Sequence, residues 1–140
     1  MRSVRRLLVV AATVVALTIL VPSASAASHK AFHLEKTCVS NALCTVLWSN
    51  FEAIPQNTEI TYTYNGDGSD GLAYPTVWAV NGSTTGVCDW THPTGPIQAK
   101  CTFDTGTGTL TGFHLAVRVT ANANRSVWYW DGTYWFGGGN

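Results

Sequence analysis

The chain has 140 residues, no net formal charge and only 11% charged side chains. Its length fits about one small domain. It has none of the clustered basic charge that displaces counterions from phosphates, which excludes a nucleic-acid partner.

The first 26 residues carry a targeting pattern. Arg2, Arg5 and Arg6 precede an uncharged apolar run from Leu7 to Val21. Pro22 then breaks any helix, and Ala24-Ser25-Ala26 supplies small residues for a peptidase. This predicts a secretory signal peptide cut between Ala26 and Ala27, leaving one secreted domain over 27–140. The apolar run is short for the ~20 residues of a membrane span. No second apolar run follows, so no membrane segment is expected after cleavage. The secreted part keeps Lys30, Lys36, Lys100, Arg118 and Arg125 against all eight acidic residues, and is mildly acidic.

From Ala27 onward the pattern alternates and is punctuated by turn residues, which predicts strands. Ala31 to Thr37 sets Phe32 and Leu34 on one face, His33 and Glu35 on the other. Cys44 to Phe51 is a β-branched and aromatic run. Thr58 to Tyr64 alternates Ile60, Tyr62 and Tyr64 with Glu59, Thr61 and Thr63. A loop over 65–71 is rich in glycine, asparagine and aspartate. Leu72 to Val80 follows, with Pro75 suggesting an edge or an irregular start. Gly86 to Trp90, Ile97 to Phe103, Thr109 to Thr120 and Arg125 to Phe136 complete about eight strands. The tail over 137–140 is expected to fray.

All four cysteines fall in the secreted part. In an oxidising compartment an even count reads as disulfides. Cys38–Cys44 and Cys88–Cys101 are the favoured pairs, because each staples the arms of a local turn. The spacings do not suit C-x-x-C metal ligation, so no metal and no cofactor is expected. Locally paired cysteines and mostly short connections favour an all-β, eight-stranded antiparallel β-barrel, which removes exposed edges. A β-sandwich is the alternative, and it would prefer a disulfide bridging distant strands.

The stretch from Thr105 to Thr120 bears most directly on function. Gly106, Gly108 and Gly112 look like a phosphate loop, but a strand pattern follows them instead of a helix, which rejects nucleotide binding. Gly106-Thr107-Gly108-Thr109-Leu110-Thr111-Gly112 resembles the G-T-G-x-[FL]-x-G segment of the allene oxide cyclase barrel-like and dirigent families. The similarity extends loosely into Phe113 to Val119 and Trp130-Asp131-Gly132-Thr133-Tyr134, and also to small secreted actinobacterial proteins of unknown function. The resemblance implies an eight-stranded barrel with a central cavity, and an enzyme that steers cyclisation or coupling inside it.

Along this strand Phe113, Leu115, Val117 and Val119 share one face, and His114 and Arg118 the other. The apolar face is expected inside, leaving His114 and Arg118 at the surface. The sharper alternative has them line a polar cavity and bind ligand. In the last strand Trp128 and Trp130 share a face, either filling the core or holding an apolar ligand or a sugar. Asp131-Gly132 is expected to form a bulge. No nucleophile elbow or paired-histidine motif accompanies His29, His33, His92 and His114. The residues therefore favour a non-enzymatic module for a small apolar molecule or a carbohydrate. Trp48, Trp78, Trp90, Trp128 and Trp130 are the candidate sugar platform.

Overall fold

A sheet this rich in apolar and β-branched residues must cover one face and pair every edge. The computed structural model, which describes residues 27–137, meets both needs by closure. Eight strands form one closed antiparallel barrel in sequence order: β1 (Lys30–Ser40), β2 (Leu43–Ser49), β3 (Glu59–Thr63), β4 (Leu72–Trp78), β5 (Thr84–Asp89), β6 (Ala99–Gly106), β7 (Phe113–Ala121) and β8 (Trp128–Phe136). The last strand pairs back onto the first, from Lys30 opposite Tyr134 to Lys36 opposite Trp128. The expected signal peptide, including Ala26, and the tail over 138–140 lie outside the described residues; Ala27 is exposed at their start. Among the described residues no helix is long and apolar enough to cross a membrane.

Period-two alternation decides what fills the interior. Phe32 and Leu34 of β1, Ile60 and Tyr62 of β3, Phe103 of β6, Phe113, Leu115, Val117 and Val119 of β7 and Trp130 of β8 are all buried. Both disulfides are direct cross-strand pairs: Cys38 opposite Cys44, and Cys88 opposite Cys101.

Three local details depart from what the sequence pattern predicts. Pro75 is buried and paired through β3 to Tyr62, on a sheet without edges. Its missing N–H falls where the β4–β5 register skips residues 74 and 75, next to a shift at Thr85/Gly86. Asp131-Gly132 forms no bulge, since β8 runs in unbroken register with both neighbours. Gly132 is required there by close approach: a Cβ would sit 1.9 Å from the Ala116 carbonyl oxygen. The strand expected from Thr109 begins only at Phe113, because Gly108–Leu110 forms a 3-10 turn. Gly108 opens that turn at φ +57 with its Cα face against the Asn81 carbonyl, a position closed to any side chain.

The two ends of the barrel differ. At one end the segment after β2 folds inward. Ile54 is fully buried, and Phe51 stacks on Phe113 at 5.3 Å and meets Phe32, Tyr134 and Phe136. Leu110 of the 3-10 turn is also buried. This apolar plug fills one half of the interior. The other end, ringed by the β1–β2, β3–β4, β5–β6 and β7–β8 connections, stays open.

Candidate functional site

The open end holds a cavity of about 380 Å³. Its walls include Leu72, Trp90 and Trp128, and Arg125 stands at its rim. Trp90 and Trp128 meet edge to face at 5.7 Å. The Cys38–Cys44 disulfide, Tyr62 and Lys36 form its floor. A volume in this range with aromatic walls and few polar groups is the usual character of a small-molecule site.

Lys36 is there because of register. On β1 the face that buries Phe32 and Leu34 continues to Lys36, whose residue is only 3% exposed. A shift between Glu35 and Lys36 sets Glu35 opposite Trp48 and Lys36 opposite Val46. Leu47 is the extra residue; it lets Val46 point inward while Trp48 points out. Lys36 Nζ donates a hydrogen bond to Tyr62 Oη at 2.7 Å. It lies 3.4 Å from Cys44 Sγ and 3.6 Å from Cys38 Sγ. It also sits over the Tyr62 ring, 4.8 Å from its centroid, and over the Trp130 ring, 5.2 Å away.

Among the described residues no carboxylate lines this cavity. The ammonium has lost water without gaining a counter-ion, and burial lowers its pKa from 10.5 to about 7. A shift of that size corresponds to about 5 kcal/mol. The two aromatic faces return about 2 kcal/mol each, and the lowered pKa shows that desolvation outweighs them. Burial, followed by the neighbouring Tyr64 hydroxyl, raises the Tyr62 pKa far above that of a free phenol. Tyr62 therefore stays un-ionised beside an amine that changes charge near neutrality. Beside them, the fully buried Trp130 Nε1 has no hydrogen-bond partner among the described residues.

The sequence-derived candidates are split by the barrel wall. Trp128 lines the cavity and Trp130 lies in the interior behind it. His114 and Arg118 are on the outer face. His114 Nδ1 is 2.9 Å from Asp104 Oδ1, and its ring stacks on Trp135 at 5.2 Å. His29 stacks on Trp135 at 4.3 Å. Arg118 is exposed and borders a groove on the outer face with Lys100, Thr102 and Asp131. Trp48 and Trp78 also point outward, so the five tryptophans share no single surface.

The outer wall carries one further cluster. His33 Nδ1 is 2.5 Å from Asp131 Oδ1 and Nε2 is 3.4 Å from Glu35 Oε1. Its ring lies near Trp48 and Tyr129. Partial burial works against its charge, but the hydrogen bonds and charges of Asp131 and Glu35 outweigh this and raise its pKa above 6.5. Among the described residues, no group of three or more His, Cys, Asp or Glu side chains is placed to hold a metal ion.

Lys36 and Tyr62 are the site residues that the sequence pattern had not singled out. Their signal was present: a lysine two residues beyond Leu34 on an apolar face, and a tyrosine two residues beyond Ile60. No protein-family model, curated protein or solved structure matches the chain.

Proposed function

We propose that the protein is a secreted binding module that takes a small, mostly apolar molecule into the open end of its barrel. The observation that carries this reading is the cavity of about 380 Å³ walled by Trp90 and Trp128. The plugged half supplies a rigid floor, and the disulfides suit an oxidising, extracellular setting. Steering of a reactive substrate, as in the cyclase and dirigent families, would have to use this same space. Among the described residues neither a histidine nor a carboxylate lines it, which favours binding over catalysis.

Carbohydrate is the second reading, favoured by the exposed rings of Trp48 and Trp78, at 51% and 54%. Tryptophan emission titrated with apolar probes such as cinnamyl alcohol, and separately with oligosaccharides, distinguishes the two. The cavity reading expects a saturable response to apolar probes that is lost in Trp128→Ala and kept in Trp48→Ala. A response to oligosaccharides alone, abolished by Trp48→Ala or Trp78→Ala, would replace it.

A further inference from the structure

We propose that Lys36 is a site of reversible covalent capture, at which an aldehyde carried by an apolar ligand condenses with the Nζ amine to form an imine. This capture rests on the cavity being the ligand site proposed above, and it adds the reacting atom and the chemical class of the ligand.

The geometry supplies what an amine nucleophile needs. Lys36 Nζ reaches the cavity floor, and Tyr62 Oη lies within hydrogen-bond distance at 2.7 Å. The titratable or charged groups around it are Tyr62 from β3, Tyr64 just beyond that strand and Arg125 from the β7–β8 turn. From β2 and β8 it faces groups that do not titrate: Val46 opposite it, the Cys44 sulfur, which is locked in a disulfide, and the Trp128 and Trp130 indoles. With no carboxylate to hold an ammonium, desolvation leaves a large free-amine fraction near neutral pH. Desolvation in an apolar pocket is a recognised way to activate lysine toward carbonyls. Lys30 and Lys100 are exposed on the outside and have no such pocket.

The step balances without an oxidant or reductant. The Nζ lone pair attacks the carbonyl carbon and the carbonyl oxygen becomes a hydroxyl. That hydroxyl then leaves as water, so the water carries away the carbonyl oxygen and both amine hydrogens. A C=N bond replaces the C=O bond. The Tyr62 phenol accepts a proton-bearing contact from the ammonium and donates one to the free amine or to the departing hydroxyl, so one contact serves both stages. The Trp90 and Trp128 rings, set edge to face in the cavity wall, offer apolar surface to a conjugated aldehyde.

The test uses the purified protein with cinnamaldehyde and sodium cyanoborohydride, followed by peptide mapping of the reduced adduct. The expected result is one adduct at Lys36, formed about tenfold or more faster than at Lys30 or Lys100, because more of its amine is free. Its rate should rise through pH 7 and level off above it, while labelling of the exposed lysines keeps climbing. Lys36→Met should abolish the adduct, and Tyr62→Phe should slow it. Cinnamyl alcohol, which has the same shape and no carbonyl, reports the cavity separately through tryptophan emission. If the alcohol binds and labelling spares Lys36, the covalent capture is overturned and the cavity reading stands. If neither the alcohol nor the aldehyde engages the cavity, both fall.

Discussion

Replacing Lys36 by methionine should make the protein more stable, by an amount that depends on pH. In the folded state the Lys36 pKa is about 7, against 10.5 for an unburied lysine. Below pH 7 both states hold the proton, and folding carries the whole cost of burying the charge, about 5 kcal/mol. Between pH 7 and 10.5 the unfolded chain binds one more proton than the folded one, so stability rises with pH. From pH 6 to pH 9 the rise is about 3 kcal/mol. Methionine removes that slope and keeps most of the packing volume. It also loses the hydrogen bond to Tyr62, about 1 kcal/mol, and the two ring contacts. The variant should therefore exceed the parent by about 3 kcal/mol at pH 6, with the gap nearly closed at pH 9. Urea unfolding of both proteins, followed by tryptophan emission from pH 6 to 9 with disulfides intact, measures the difference. Titration of His33 affects both proteins alike and cancels. A gap that stays constant with pH, or a less stable variant at pH 6, would refute the assignment of Lys36 as an unpaired buried amine.

Asp131→Asn should lower the His33 pKa, read from its imidazole resonances by NMR titration. Because that pKa is raised in the folded state, the ion pair stabilises fully below pH 6.5 and its contribution is lost as pH rises through the folded value. The variant should accordingly lose stability at pH 5.5 and little at pH 8.5. Gly132→Ala drives a methyl against the Ala116 carbonyl and the Val117 Cα, and should cost about 3 kcal/mol in urea unfolding. Phe51→Ala removes the centre of the plug; because Phe51 is only half-buried, a loss of about 2–3 kcal/mol is expected. Binding of cinnamyl alcohol at the opposite end should change little.

Most of the barrel was legible because its strands keep strict period two. On β7, Phe113, Leu115, Val117 and Val119 alternate with His114, Ala116 and Arg118, and the structure buries the first set. The local disulfides were legible for a related reason, since each joins residues that a hairpin sets face to face. The same alternation also holds the key to the site. Phe32 and Leu34 specify an inward face, and Lys36 is the next residue on it. A lysine is ordinarily solvated, and only the closed barrel shows that this one is buried beneath a cavity. Other features had no periodic signal. The extra residue at Leu47 turns Trp48 outward, and neither β-propensity nor hydropathy marks it. The inward fold of Phe51 and Ile54 is tertiary: these residues lie past the end of β2 and pack against strands distant in sequence. Gly132 reads as a bulge in sequence, but its role is a close approach between two strands.

The two halves of the interior explain one another. Small barrels ordinarily fill their interiors with side chains, and the plugged end shows that this chain does so where Ile54 and Leu110 are buried and Phe51 packs against the core. At the other end the same chain leaves a cavity and places at its floor a lysine with no counter-ion. An aliphatic residue at that position would fit the surrounding Val46, Leu34 and Trp130 better. A buried charge without a partner lowers stability by several kcal/mol, and a break with local consistency of that size is characteristic of functional positions. The cost is confined to one residue at the floor of the open end, within reach of a phenol and two indoles. That confinement separates Lys36 from the polar groups on the outer wall. His33, His114 and Arg118 are solvated or paired and could be exchanged for other polar residues without altering the interior, whereas a change at Lys36 alters the cavity floor itself.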